Sequence, residues 1–275
     1  MDTVRILTLN LWGDQGPWEA RSPVLAAGIE ALAPDVILLQ EVRSVPGKVP
    51  NQAEQLAHRF GYHWCFAVAT SWGGGDEGLA ILANLPIAHT AHRELPHPRE
   101  KERRVVLGAG ITTPYGELAV FTTHLHYRLG DGVAREDQVW AVDAFVRDWQ
   151  QERPTELPRI LGGDFNATAD HDELRFLRGL HTLHGRRTVW QDAWLRLHPG
   201  EPGCSWSAAN HFTDSLHFLD RERRLDYLFV SPVSRDHRGE ILSCRLALTS
   251  PSPEGVFASD HFGVIAEVRL AGGGG

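Results

Sequence analysis

"RVVLGAGITTPYGELAVFTTH", residues 104–124, carries two strand-like runs, 104–112 and 117–124, with only four residues between them. Both are rich in Val and other aliphatic residues, as strands are. No helix separates them, so strands formed here belong to a mixed or antiparallel sheet and not to a series of βαβ units. Further strand-like runs recur at 4–10, 35–41, 62–68, 78–83, 158–163, 224–230, 242–248 and 262–269. Helical patterns fall at 18–33, 51–60, 132–151, 171–179 and 189–197. In the third of these, Val133, Val139, Val142, Phe145, Val146 and Trp149 recur at an amphipathic spacing suited to covering a sheet. The expected fold class is therefore α+β, an α/β sandwich: two mixed, mostly antiparallel sheets packed face to face, with helices outside.

The segments "VRSVPGKVPNQ" (42–52), "TSWGGGDEG" (70–78) and "HPREKERR" (97–104) read as loops through their Gly, Pro and charge. No linker, composition break or repeat divides the chain, so a single domain is expected over 1–270, with a disordered glycine tail at 271–275. Of the 275 residues, 42% are hydrophobic and 23% charged, which is ordinary for a globular protein. The net charge of −8 argues against a broad basic face for nucleic acid, although a local basic groove is compatible with it. Cys65, Cys204 and Cys244 are odd in number and widely spaced, fitting neither a disulfide framework nor a zinc pattern. With no apolar run near the roughly 18 residues of a membrane helix and no signal-peptide core, a cytoplasmic protein is expected.

Polar residues interrupt the apolar runs at recurrent places. Asn10, Glu41, His124 and Asp164 close strand-like runs, Asn166 follows two residues later, and Asp226 and the Asp260–His261 pair precede others. Each alone has an ordinary reading: a turn former, a surface acid or a half-buried histidine. In a mixed sheet, however, the ends of some strands and the beginnings of their antiparallel neighbours share one rim. That rim would hold four acids, two amides and two histidines with no cysteine. Such hard oxygen donors suit Mg²⁺ or Mn²⁺ better than zinc, and a hard cation beside histidines is the equipment of phosphoryl transfer.

In order along the chain, "LTLNLW", "LLQEV", "TTHLHY", "GGDFNAT", "RLDYLFV" and "SDHFGV" resemble the motifs of the endonuclease/exonuclease/phosphatase superfamily, from residue 4 to about 269. The resemblance implies a sandwich of two mixed sheets and a metal-dependent phosphoric ester hydrolase. It implies Glu41 as the principal metal ligand, with Asn10 supporting and Asp260 on the metal side. It implies that Asp164 positions or deprotonates the attacking water, Asn166 holds a phosphate oxygen, and His124 serves the leaving-group side. His261 would be a base or a phosphate-stabilising imidazole, and Asp226 its carboxylate partner. Asp260 and His261, adjacent on an extended chain, would point to opposite sides and so do separate jobs.

Substrate is less constrained. Arg128, His126, Trp206 and Asn210 are candidate substrate contacts, with Tyr127 and His211 beside them; packing is the alternative for Trp206 and an ordinary surface place for Arg128. Trp72, among glycines, is either a mobile lip or part of a surface turn. A nuclease would need a basic groove, for which Arg99, Lys101, Arg103 and Arg104, and separately Arg221, Arg223 and Arg224, are available, diluted by Glu100, Glu102 and Glu222. The expected activity is hydrolysis of a small-molecule or lipid-derived phosphate ester, with a DNA or RNA nuclease as the alternative enzyme. A catalytically silent binding module is the alternative of another class, disfavoured by intact motifs. No obligate protein partner is evident.

Overall fold

The computed structural model describes residues 2–97, 103–216 and 219–272. The first half of the chain runs β1 (Thr3–Asn10), α1 (Trp18–Leu32), β2 (Val36–Ser44), α2 (Gln52–Phe60), β3 (His63–Trp72), β4 (Gly75–Ala83), β5 (Ile87–Glu94), β6 (Val105–Thr113) and β7 (Gly116–His124). The second runs α3 (Gly132–Glu152), β8 (Ile160–Asp164), α4 (Asp172–Leu177), β9 (Gln191–Asp192), α5 (Ala193–Leu197), β10 (Asp226–Val230), β11 (Ile241–Ala247) and β12 (Gly263–Arg269).

The hairpin expected at 104–124 is β6–β7, paired antiparallel from Val106↔Thr123 to Thr113↔Gly116. It sits in a six-stranded sheet of order β5-β6-β7-β8-β10-β9, and the other six-stranded sheet has order β11-β12-β1-β2-β4-β3. One parallel pair lies in each, β7 with β8 and β1 with β2, among antiparallel neighbours. Alternation along the strands builds the layers. Val4 and Ile6 face the core between the sheets, with Val36, Leu107, Val120 and Ile160. Leu7 and Leu9 face the other way, onto Leu25 and Ile29 of α1 and Leu56 of α2. Phe121 and Leu161 meet Val139, Val142 and Trp149 of α3. The central strands of each sheet are thus buried on both faces, which is why they read as nearly continuous apolar runs. The α/β sandwich with outer helices is the observed fold.

The structure corrects four expectations. β5 was not expected: "IAHTAHRE" is a half-exposed edge strand, and its His and Thr residues give no apolar periodicity. The segment 70–78 is not a loop but the end of β3 and the start of β4, joined through Gly73 (φ +56°) and Gly74 (φ +76°), the positive φ pair that a tight hairpin requires. The helix expected at 189–197 begins only at Ala193, because Asp192 pairs with Phe229 and its Oδ1 accepts from Leu195 N as the cap. β2 does not end at Glu41 but continues to Ser44 through a bulge. Residues 98–102 of the charged loop, and 273–275 of the expected tail, lie outside the described residues. No described helix is long and apolar enough to cross a membrane.

Candidate active site

Three of the polar residues are set in one row across neighbouring strands. His124 ends β7 opposite Asp164 at the end of parallel β8, and Asp226 opens antiparallel β10 opposite the same Asp164. Close approach of β7 and β8 depends on Gly163, whose φ of +150° and contact with the Thr123 backbone leave no room for a Cβ. Asn166 follows at φ +50° and turns its backbone N–H onto Asp164 Oδ1 at 2.9 Å.

The second sheet delivers Asn10 and Glu41 to the same rim. Between Leu39 and Val42 the pairing of β2 with β4 shifts register, and Glu41 takes φ +51°. A left-handed non-glycine residue costs on the order of 1–3 kcal/mol, and bulges of this kind re-aim a side chain. Here the side chain is turned to Asn10, whose Nδ2 donates to Glu41 Oε1 at 3.0 Å and to Asp164 Oδ2 at 3.1 Å. One amide therefore joins carboxylates from both sheets.

His261 lies just before β12, and its Nδ1 is 2.7 Å from Asp226 Oδ2. Its neighbour Asp260 is turned elsewhere, with Oδ1 3.2 Å from the Ser259 hydroxyl. Ser259 Oγ donates to Asn10 O at 2.6 Å, pinning this loop to the end of β1. Ser205 Oγ accepts from the N–H groups of Leu225 and Asp226, both at 3.0 Å, and so holds the start of β10. Arg21, fully buried, donates to Leu11 O and Ala258 O, each at 2.9 Å, tying the loop after β1 to the loop before Asp260. Ser205, Ser259 and Arg21 shape the site and were not found in the sequence, where small polar loop residues and a helical arginine carry no signal.

Burial and crowding set the charges. Burial and the Asp260 charge push the Glu41 carboxyl up to about 7. Burial and Asp226 push Asp164 up to about 6, against the opposing pull of His261 and the Asn166 N–H. Burial also raises Asp260. Burial opposes charge on His261, but Asp226, Asp260 and Asp164 outweigh it and hold the ring well above the ordinary histidine value. His124 goes the other way: burial, then Arg104 and His261, keep it well below that value. Their surroundings thus push the two histidines of the rim in opposite directions, His261 toward the cation and His124 toward the neutral ring. Asp164, Asp226 and His261 offer donor atoms within 4.8 Å of one another, and Asp226 Oδ1 is buried with no hydrogen-bond partner.

Clefts flank the rim on both sides. One, about 240 Å³, lies by Glu41 and His124 and is lined by Thr70, Trp72, Arg104 and Tyr127. Trp72 does not form a loose lip: its ring lies 3.7 Å from the Arg43 guanidinium and its Nε1 donates to Glu77 at 3.0 Å. The other cleft, about 420 Å³, lies by Asp260 and His261 and is lined by Tyr127, Arg128, Leu129, Trp206, Leu216 and Leu225. Arg128 and Trp206 are therefore brought to the site. Two other expected substrate contacts are not. Asn210 is fully buried, its Nδ2 donating to Ser259 O and Asp260 O at 2.8 and 3.1 Å; it braces the loop from beneath. His126 is fully buried as well, with Nε2 2.8 Å from Asp131 Oδ2. Of the expected basic groove, Arg224 is buried in a bidentate pair with Asp192 at 2.7 and 2.9 Å, and Arg221 pairs with Asp214 at 2.6 Å. Arg99 and Lys101 lie outside the described residues.

Comparison with known proteins agrees with this architecture. An uncharacterized Caenorhabditis elegans protein, F14F9.5, is 23% identical over 302 aligned positions, covering 96% of this chain and 90% of the relative. Exodeoxyribonuclease III of Haemophilus influenzae is 26% identical, covering 77% of this chain and 83% of the relative. The crystal structure of an endonuclease/exonuclease/phosphatase from Beutenbergia cavernae superposes with a TM-score of 0.73 at 24% identity, over 99% of this chain and 72% of that one. Residues 7–261 match the Endonuclease/Exonuclease/phosphatase family, and the chain belongs to that family.

Proposed function

We propose that the chain hydrolyses a phosphate ester with a bound Mg²⁺ or Mn²⁺, and that the ester is a small-molecule or lipid-derived one. The observation that carries this reading is the meeting of Asn10, Glu41, His124, Asp164, Asp226 and His261 from both sheets at one rim.

The donor set suits a hard divalent cation. Glu41 and Asp260 are carboxylates raised by burial, and for Glu41 also by the Asp260 charge, an unfavourable field that a cation relieves. Glu41 and Asp260 would hold the ion, with Asn10 supporting Glu41 through its Nδ2, and the ion when bound would neutralise phosphate charge and supply electrophilic help. The protein's own groups do the rest. His261, kept cationic by Asp226, is in the wrong protonation state to accept a proton and instead presents a charged donor to a phosphate oxygen. The base is then Asp164: raised to about 6, and aimed by Asn10 Nδ2 and the Asn166 N–H, it can orient water and take its proton near neutral pH. Asn166 holds a phosphate oxygen, and His124 faces the departing one.

The substrate class rests on the cleft beside His261, whose Leu129, Leu216, Leu225 and Trp206 suit an apolar group on the ester. Of the expected basic groove, Arg221 and Arg224 are ion-paired, whereas Arg103, Arg104 and Arg223 line the clefts, so the nuclease reading is weakened only in part. Resemblance to exodeoxyribonuclease III keeps a nuclease as the second reading. The test is parallel assay of bis(p-nitrophenyl) phosphate, p-nitrophenyl phosphate, sphingomyelin and plasmid DNA, with Mg²⁺ or Mn²⁺ and with EDTA. Turnover of one of the first three, abolished by EDTA and by Glu41→Ala, is expected. Plasmid nicking alone promotes the nuclease, and activity on none overturns the hydrolase reading.

A further inference from the structure

We propose that Arg104 is a positioning residue that fixes the tautomer of His124, so that His124 meets the substrate as a neutral ring with its proton on Nε2. This rests on the hydrolase reading for its catalytic consequence, but its structural content stands on contacts alone.

A neutral imidazole has one acceptor nitrogen and one N–H. Two donors reach for that acceptor. Arg104 Nη1 lies 2.9 Å from His124 Nδ1, and Asn166 Nδ2 lies 3.0 Å from His124 Nε2. Both cannot be accepted at once, and the geometry decides between them. A guanidinium has no acceptor form, so a proton on Nδ1 would set a charged donor against an N–H at 2.9 Å, on a ring that is buried. Asn166 gives way at lower cost, because it is a neutral donor and its Nδ2 keeps Leu125 O as an acceptor at 3.1 Å. On the Nε2 side, the carboxylate oxygens Asp164 Oδ2 and Glu41 Oε1 lie at 3.5 and 3.9 Å, so a proton there faces negative charge. Nδ1 therefore accepts from Arg104, and Nε2–H points into the rim.

The consequence concerns the leaving-group side. There, a histidine can either stabilise the departing oxygen or protonate it. A ring held neutral beside a guanidinium offers a hydrogen bond from Nε2 and has no spare proton on Nδ1, so stabilisation is the role the arrangement supports.

The test is ring nitrogen NMR on metal-free protein labelled with ¹⁵N in histidine, with His124→Asn identifying the His124 signals. In the wild type, Nε2 is expected to show the protonated type of signal and Nδ1 the unprotonated type. Arg104→Met should convert a measurable fraction to the Nδ1–H form, while Arg104→Lys, which retains a charged donor, should convert less. If bis(p-nitrophenyl) phosphate is a substrate, Arg104→Met should lower kcat at least about tenfold with KM changed less than about threefold, a split that a general loss of structure does not give. Nδ1–H in the wild type, or an unchanged tautomer in Arg104→Met, overturns the proposal. Because the NMR arm uses no substrate, its result is independent of whether the hydrolase reading survives.

Discussion

Glu41→Gln should make the metal-free protein more stable near pH 8 while removing its response to Mg²⁺. Glu41 is placed by a strained bulge, and burial and the Asp260 charge raise its carboxyl from 4.5 to about 7. A proton is therefore held more tightly in the folded than in the unfolded state. The stability associated with Glu41 is complete below about pH 4.5 and is lost as pH rises through about 7. At about 1.4 kcal/mol per tenfold, the full difference approaches about 3 kcal/mol. The Glu41 side chain is 25% exposed, and discounting for solvent leaves about 2 kcal/mol, or roughly 5 °C in Tm. Gln can keep the oxygen that accepts from Asn10 Nδ2 while replacing the charged group with a neutral amide. The assay is urea unfolding in EDTA at about pH 8 and about pH 4, then at pH 8 with Mg²⁺ about a hundredfold above its Kd. The variant should exceed the wild type at pH 8 and match it at pH 4. Mg²⁺ should then raise the wild type by about 2.7 kcal/mol and leave the variant unmoved. A variant less stable than the wild type at pH 8 without metal would show that Glu41 is held by its contacts rather than strained by its charge, and would refute the reasoning.

Asp226→Asn removes the counter-ion 2.7 Å from His261 and should lower turnover by about 10²–10⁴-fold; rates within a factor of about three of wild type would contradict the charged role of His261. Gly163→Ala places a Cβ against the Thr123 backbone at a φ that L-residues avoid, and should cost about 3 kcal/mol in urea unfolding. Asn210→Ala leaves the Ser259 and Asp260 carbonyls without their buried donor; a loss of about 2 kcal/mol and a fall in activity are expected although Asn210 is wholly inaccessible to substrate. Arg224→Met strands the buried Asp192 carboxylate and should destabilise by about 3–5 kcal/mol without changing affinity for DNA in a gel-shift titration.

What the sequence determined by itself was the layered architecture and the identity of the polar residues at the rim. Strands buried on both faces must be apolar almost throughout, so a lone Asn10, Glu41, His124 or Asp164 at the edge of such a run stands out, and the hairpin at 104–124 excludes a purely parallel sheet. Edge strand β5 escaped because a half-exposed strand has no apolar face to announce it. Tertiary structure alone decided which polar groups are engaged. His126, Asn210 and Arg224 look no different in sequence from Arg128, yet three are buried against protein partners and one is exposed at a cleft. Charge was decided the same way. His261 and His124 are the same residue type on one rim, and their neighbours in space push the first toward the cation, through Asp226, and the second toward the neutral ring, beside Arg104. Periodicity records which face of an element is apolar, whereas a protonation state depends on charges a few ångströms away in space, and here these come from residues 20 and 35 positions away in sequence.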